Sequence, residues 1–206
     1  MKFILAKKLE MSQIFDEQGN VVPVTLVLAG PCFVTQVRTK EKDGYEAVQI
    51  GFDNKKEKKM SRPQKGHLAK NKIGLPLKNF REFRVENTEL KEGAELKADV
   101  FQAGDKVKVS GLTIGRGFSG WVKRHGFGGG PKSHGQKHSL RKPGSIGATF
   151  PERVPKGRRM AGRFGNERVT IEGLKIAKVD VENNIIAIKG AVPGKRGTLL
   201  EIREEE

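Results

Sequence analysis

The stretch Ile176-Ala-Lys-Val-Asp-Val-Glu-Asn-Asn-Ile-Ile-Ala-Ile188 predicts two β-strands joined by a tight turn. β-branched residues are frequent in both arms, and such residues favour extended strands. Asn183-Asn184 separates the arms, and asparagine tolerates the left-handed backbone that a short hairpin turn requires. We therefore expect an antiparallel hairpin near the end of a chain that is mainly β.

Alternating apolar residues predict further strands on both sides of this hairpin. In residues 45–52, after a turn at Asp43-Gly44, Val48, Ile50 and Phe52 fall on one side of an extended chain. The other predicted strands are residues 21–28 with Pro23 at an edge or bulge, the run of Leu96, Ala98 and Val100, the pair Val107 and Val109 after a turn at Ala103-Gly104-Asp105, residues 169–171, and a last strand with Leu200 and Ile202. Many short strands separated by turns are typical of a β-barrel or sandwich.

Helix signals are weak in this chain. Residues 61–71 predict one short helix, because Ser61 can cap it and Pro63 suits its first turn. The sequence Trp121-Val-Lys-Arg-His-Gly-Phe-Gly-Gly-Gly130 is too rich in glycine to favour a helix.

Positive charge is concentrated in the middle of the chain. Residues 111–165, termed the basic segment, contain 12 Lys and Arg, one acid (Glu152) and 14 of the 26 glycines. Residues 1–110 contain 21 basic and 15 acidic residues, and residues 166–206 contain 7 and 8. Ordering each residue costs about 1–2 kcal/mol of backbone entropy, which the few large aliphatic residues of the basic segment cannot offset. We therefore expect an anionic partner to order it.

This contrast predicts the domain organisation. Residues 1–110 and 166–206 together form one β-barrel body, and residues 111–165 form an extended loop that binds RNA. The fold class is mainly β: a β-barrel body with few short helices, and a long basic, glycine-rich extension that lacks regular secondary structure.

The total charge of +16 requires a polyanionic partner, either nucleic acid or an acidic membrane surface. The chain has no amphipathic helix for a membrane surface and no run of roughly 20 apolar residues that could cross one. Its apolar N-terminal run is too short for a signal peptide. A single cysteine, Cys32, excludes an intramolecular disulfide and fits the reducing cytosol.

Two motifs in the basic segment have alternative interpretations. Residues 115–120, Gly-Arg-Gly-Phe-Ser-Gly, match the dinucleotide pattern G-x-G-x-x-G, but the helix and the distant acid that such a site needs are missing. His134 and His138 have the spacing of a zinc half-site, but no cysteine pair or carboxylate completes the ligand set. We therefore interpret the glycines as backbone that approaches phosphates closely, and the histidines as RNA contacts.

The basic and aromatic residues of the segment suit RNA better than a catalytic role. Arginine matches phosphate geometry, and aromatic rings stack on unpaired bases or fix the loop to protein. We find no catalytic Ser/His/Asp or Cys/His set and no paired carboxylates beside a pocket, so we expect no enzyme, small-molecule substrate, cofactor or metal. The predicted RNA-binding residues are Arg116, Trp121, Lys123, Arg124, His125, Lys132, His134, Lys137, His138, Arg141, Lys142, Lys156, Arg158, Arg159 and Arg163.

Several stretches together resemble one known family over nearly the whole chain. They are Val109-Ser-Gly-Leu-Thr-Ile-Gly-Arg-Gly-Phe-Ser-Gly-Trp-Val-Lys-Arg124, Pro143-Gly-Ser-Ile-Gly147, Lys156-Gly-Arg-Arg-Met-Ala-Gly162, Gly165-Asn-Glu-Arg-Val-Thr170 and Lys189-Gly-Ala-Val-Pro-Gly194. The chain is similar to large-subunit ribosomal protein three, the L three family, in its shorter bacterial form.

This resemblance implies a β-barrel body on the exterior of the large subunit and an extension that runs through ribosomal RNA toward the peptidyl transferase centre. It also implies early assembly of the subunit, contacts with neighbouring ribosomal proteins, and a location on cytoplasmic ribosomes. Two positions depart from the family pattern: Ala6-Lys-Lys-Leu-Glu-Met-Ser12 replaces two glycines of its N-terminal signature, and Ala148 stands where some members carry a methylated glutamine.

Two other function classes remain as alternatives. A general nucleic-acid chaperone would bind duplex DNA and many RNAs comparably, whereas a ribosomal protein selects its own ribosomal RNA site. A nucleotide-dependent enzyme would show a thermal shift when nucleotide is added.

Overall fold

The structure, a computed structural model, describes residues 1–71, 73–85 and 90–205. Its strands are β1 (Phe3–Phe15), β2 (Val21–Ala29), β3 (Cys32–Arg38), β4 (Ala47–Asn54), β5 (Leu77–Phe83), β6 (Glu95–Leu96), β7 (Lys106–Leu112), β8 (Phe118–Ser119), β9 (Gly162–Arg163), β10 (Arg168–Asp180), β11 (Ile185–Lys189) and β12 (Leu199–Glu204). Its helices are α1 (Lys40–Asp43), α2 (Arg62–Lys70), α3 (Trp121–His125) and two single 3₁₀ turns, Glu57–Lys59 and Ala98–Val100.

The described residues form two compact units. The first unit joins Met1–Leu112 to Arg168–Glu206, and the second unit is Thr113–Glu167.

A closed antiparallel barrel forms much of the first unit, in the strand order β1-β12-β7-β10-β11-β2. The first and last strands of the chain pair directly, with Phe3 opposite Arg203 and Lys7 opposite Leu199. Register shifts between Lys8 and Glu10 in β1, and at two places in β10, mark bulges. Bulges bend strands, which a small barrel needs in order to close. The predicted mainly β class with a β-barrel body is confirmed.

A four-stranded sheet, in the order β5-β4-β3-β6, completes the first unit. Val48, Ile50 and Phe52 of β4 are buried in the main core together with barrel residues, as their alternation predicts. A smaller cluster of Leu68, Ile73 and Leu77 packs α2 near this sheet. Helix α2 begins after Ser61, whose backbone N–H lies 3.5 Å from Oε1 of Gln64, so the predicted helix with Ser61 at its N-cap position is confirmed.

Turn chemistry explains the connections between strands. Asn184 adopts φ 53° and closes the β10–β11 hairpin, where the carboxylate of Asp180 accepts hydrogen bonds from Asn183. These bonds lower the pKa of the Asp180 carboxyl. Pro23 lies just beyond the part of β2 that pairs with β11, so its missing N–H breaks no bond with that strand.

One predicted strand is wrong. The alternation of Leu96, Ala98 and Val100 suggested a continuous strand, but β6 ends at Leu96 and a 3₁₀ turn covers Ala98–Val100. The turn lets both Ala98 and Phe101 reach the core, so burial of these side chains outweighs the local preference for an extended chain.

The second unit is not devoid of regular structure, which corrects the prediction made for the basic segment. Strands β8 and β9 pair, with Phe118 opposite Arg163 and Ser119 opposite Gly162. Helix α3 occupies Trp121–His125, a stretch expected to avoid helix. The five residues of α3 contain no glycine, and Gly126 ends the helix in the left-handed conformation. The glycines that argued against a helix therefore lie outside it.

Candidate nucleic-acid interface

The second unit carries strong positive charge that other protein groups leave unneutralised. It contains 12 Lys and Arg against two acids, Glu152 and Glu167. None of the twelve forms an ion pair with any residue that the structure describes. The ion pairs that the structure does describe all join residues of the first unit, so the two units differ in how they balance charge.

The structure places most of the predicted RNA-binding residues at the surface. Trp121, Arg124 and His125 are half-buried, and all three lie on α3. The exposed ones are Arg116, Lys123, Lys132, His134, Lys137, His138, Arg141, Lys142, Lys156, Arg158, Arg159 and Arg163. Arg153, which was not among the predicted residues, is equally exposed in the same unit, and its sequence neighbourhood gave the same basic signal.

Two residues of α3 are held by one backbone carbonyl. Arg124 donates from Nη1 to the oxygen of Met160 at 2.7 Å, and Nε2 of His125 lies 3.0 Å from the same oxygen. A β-carbon on Gly162 would lie 2.6 Å from Nη1 of Arg124. Arg124 and His125 therefore brace the unit internally, in addition to the RNA contact predicted for them.

The two chain segments at the base of the second unit run antiparallel and are joined by backbone hydrogen bonds. The N–H of Arg116 donates to the oxygen of Phe164 at 2.8 Å, and the N–H of Phe164 donates to the oxygen of Gly117 at 2.9 Å. The N–H of Thr113 donates to the oxygen of Glu167 at 2.9 Å. The guanidinium of Arg116 also lies over the ring of Phe164, 5.6 Å from its centroid.

Aromatic and aliphatic side chains of the second unit are largely open to solvent. Phe118 is 82% exposed and Phe150 is 85% exposed, which leaves both ring faces free to stack. Phe127 and Phe164 are half-buried. The indole Nε1 of Trp121 is buried and has no hydrogen-bond partner among the described residues.

His134 and His138 are both exposed, and the described residues contain no group of three or more potential metal ligands. No helix in the described part of the chain is long and apolar enough to cross a membrane.

A cleft of about 470 Å³ lies on the first unit and is lined by three arginines. One of its two carboxylates, Glu201, is almost fully buried and accepts from Arg81 Nε at 3.0 Å and from Arg168. The third arginine, Arg203, lies over the ring of Phe83, 4.7 Å from its centroid. The arginines of this cleft are therefore largely used within the protein, unlike those of the second unit.

Known proteins similar to this chain are ribosomal proteins. The family model described as Ribosomal protein L3 matches residues 64–181. The large ribosomal subunit protein uL3 of Prochlorococcus marinus (strain NATL1A) is 56% identical over 202 residues, covering 97% of this chain and 92% of that protein. The uL3 protein of Pelotomaculum thermopropionicum is 52% identical over 204 residues, covering 98% and 96%.

These matches confirm the resemblance seen in the sequence, the location on cytoplasmic ribosomes and the absence of an enzymatic role. The chain therefore belongs to the ribosomal protein L3 family and is a structural constituent of the large ribosomal subunit.

Proposed function

We propose that the second unit binds large-subunit ribosomal RNA directly. The observation that carries this proposal is its set of 12 basic residues, none of which is paired with an acid in the described structure. Unpaired arginine and lysine keep their full charge for phosphates and release counterions when they bind them. The first unit has 28 Lys and Arg against 22 acids over 151 residues, so its net positive charge is smaller and more dilute.

Different residues of the second unit serve different parts of this contact. Exposed side chains such as Lys132, Lys137 and Arg159 reach phosphates, which sets affinity rather than sequence preference. Phe118 and Phe150 offer exposed rings for stacking on unpaired bases. Trp121 is half-buried and its Nε1 is enclosed by protein, so its N–H reaches an RNA acceptor only if the second unit rearranges on binding.

We also propose, on the basis of family membership, that the protein supports early assembly of the large subunit and contacts neighbouring ribosomal proteins. In the same way we propose that residues 111–165 extend toward the peptidyl transferase centre. These roles require RNA to order residues 111–165, because this segment has little apolar surface with which to fold by itself.

Salt-dependent binding tests direct RNA contact. The affinity of the purified chain for large-subunit ribosomal RNA should fall by several decades between 50 and 200 mM salt if about ten phosphates are contacted. Lys132→Ala should reduce the slope of log affinity against log salt by about 0.7–0.9. Lys65→Ala, whose lysine is paired with Glu57 at 3.1 Å in the first unit, is the matched control and should leave the slope unchanged.

Two results would contradict the proposal. A slope near zero would show that phosphates are not the contacts. Equal affinity for duplex DNA of the same length would favour the alternative of a general nucleic-acid chaperone.

A further inference from the structure

The hairpin formed by β1 and β2 extends beyond the barrel. Strand β12 pairs with β1 only from Phe3 to Lys7, and β11 pairs with β2 only from Val24 to Leu28. Past these points, residues 13–15 of β1 pair only with residues 21–23 of β2, and residues 10–12 of β1 pair with residues 24–26 of β2 on one side and with no described strand on the other. Residues 10–23, termed the ribbon, therefore consist of an uncovered edge of β1 and a two-stranded tip, and a two-stranded hairpin is marginally stable in water by itself.

One face of the ribbon is apolar and exposed. Its register places Phe15 opposite Val21 and Gln13 opposite Pro23, with Met11 next on the same side of β1. Directly opposed residues and every second residue share one face of an antiparallel pair. Met11 is 55% exposed, Phe15 67% and Val21 54%. These side chains form a contiguous apolar strip, a feature that marks interaction surfaces in soluble proteins.

The open edge of β1 is protected only at its start, where the bulge between Lys8 and Glu10 bends the strand. Proteins commonly block exposed strand edges with lysine, proline or a covering element. Residues 10–15 of β1, Glu-Met-Ser-Gln-Ile-Phe, contain neither lysine nor proline. An exposed edge beside an exposed apolar strip indicates that a partner covers this part of the protein in its functional state.

The charge of the ribbon disfavours nucleic acid as that partner. Residues 9–37 contain no Lys or Arg, although the chain contains 40 of them. The ribbon itself carries three acids, Glu10, Asp16 and Glu17. The backbone N–H of Asn20 and then its side-chain amide lower the pKa of the Asp16 carboxyl, so this residue stays ionised.

Two basic side chains from elsewhere in the barrel approach the ribbon. Arg196 pairs with Glu10 at 3.0 Å, and Lys189 acts on Asp16 through its charge. They reduce the negative charge of the ribbon but do not reverse it. Phosphates would therefore meet a negative surface here, whereas a protein segment with lysine or arginine would be attracted.

We propose that the exposed face of the ribbon, formed by Met11, Phe15, Val21 and Pro23, docks a neighbouring protein of the large subunit. The contacting segment of that protein carries apolar side chains flanked by lysine or arginine. This inference rests on the proposed contacts with neighbouring ribosomal proteins and names the surface and the chemistry of one of them.

Site-specific crosslinking in assembled subunits tests the docking surface. The photoreactive residue p-benzoylphenylalanine replaces Phe15 in the full-length chain in cells, and mature large subunits are isolated and irradiated. The expected product joins Phe15 to a Lys/Arg-containing peptide of another ribosomal protein, identified by mass spectrometry. Val181, which is 50% exposed in the turn after β10, is the matched control site and should give at least about threefold less of any such product.

RNA or a second copy of this chain bound at the ribbon would give a different crosslinked product. A crosslink from Phe15 mainly to RNA, or to a second copy of this chain, would overturn the proposal, as would no crosslink in subunits that contain the labelled protein. If the labelled and the unlabelled chain are both absent from large subunits, the proposed contacts with ribosomal proteins fail as well. This result differs from a labelled chain that enters subunits without a protein crosslink, which would overturn only the docking surface.

A competition experiment supplies a second measurement. The double variant Phe15→Ser, Val21→Ser is expressed together with the unaltered chain, and its share in mature subunits is compared with its share in total protein. Loss of the apolar contact should reduce incorporation about threefold or more, whereas Val181→Ser should incorporate normally. Equal incorporation of both variants would overturn the proposal, provided that circular dichroism shows both to be folded.

Discussion

Single residues decide the geometry at the base of the second unit, and Gly165 is the clearest case. Its backbone lies at φ 73°, and a β-carbon there would lie 2.1 Å from the carbonyl oxygen of Ile114. Both features require glycine, because other residues rarely adopt this conformation and no atom can approach a carbonyl so closely. Gly157 shares the first feature, with φ 81°, but has nothing within 4 Å. Alanine substitutions at Gly165 and Gly157 therefore separate the effect of steric overlap from that of backbone strain.

Gly165→Ala should open the base of the second unit, whereas Gly157→Ala should cost only the strain of the left-handed backbone, about 1–2 kcal/mol. Amide hydrogen exchange of Arg116 and Phe164 measures this, because their N–H groups donate across the base. Protection should fall sharply in the first variant and stay unchanged in the second. Similar protection in both variants would show that the chain can move aside at Ile114.

Cys32 is a residue whose role is structural. It is buried in the main core, where its Sγ lies 3.4 Å from the oxygen of Leu5. Burial raises the pKa of its thiol to about 12, and a protonated thiol is a poor nucleophile. The cysteine therefore acts as a small core residue without redox function.

At the scale of elements, the second unit contributes charge and little buried surface. Ser119 and Gly165 are its only buried residues. Its strands and helix are each five residues or shorter. Short elements of this kind gain most of their order from a partner. The barrel strands differ, because their apolar side chains are fully buried.

Deleting residues 118–163 and joining Gly117 to Phe164 through Asn-Gly should leave a cooperatively folded barrel. The N–H of Phe164 already donates to Gly117, so a two-residue turn can span the gap. The free energy of unfolding in urea should change by less than about 1 kcal/mol. The control Ile202→Ala removes a fully buried side chain of β12 and should cost about 2–5 kcal/mol.

The same deletion should impair entry into mature large subunits, since it removes 11 basic residues and one acid. Sucrose-gradient profiles of cells with this variant as their only copy measure the effect. Normal amounts of mature subunits containing the shortened protein would show that function lies elsewhere in the chain.

At the scale of the whole molecule, chain ends that are distant in sequence share one barrel. Strand β12 lies between β1 and β7 and hydrogen-bonds to both. Strand β7 also pairs with β10, which follows the second unit in the chain. Strand β11 pairs with β2 as well. A cut anywhere in the second unit therefore leaves four ladders that hold the two fragments together.

Limited trypsin digestion of the free protein should cut first within residues 111–165, where the basic residues are mostly exposed. The nicked protein should elute from size exclusion as one species of unchanged size and should separate into fragments only in denaturant. Fragments that separate under native conditions would contradict a single body made from residues 1–110 and 166–206.

The sequence by itself determined the features that depend on near neighbours. The Asn183-Asn184 turn, the capped helix after Ser61 and the buried alternation of β4 all follow from residues a few positions apart. The segregation of basic residues into the middle of the chain, on which the proposed RNA-binding role rests, also needs only the order of residues. The family resemblance belongs to the same class, because its motifs are local.

Only the tertiary structure decided which strands meet and which side chains are already engaged. The pairing of β1 with β12 and the hydrogen bond from Arg124 to the Met160 carbonyl join residues that are far apart in sequence. The 3₁₀ turn at Ala98 depends on side chains that are buried together. The exposed face of the ribbon also emerges only when the barrel pairs part of β1 and leaves the rest uncovered. Local propensity is worth tenths of a kcal/mol per residue, whereas burial of a large apolar side chain is worth about 1.5–3 kcal/mol, so packing prevails wherever the two disagree.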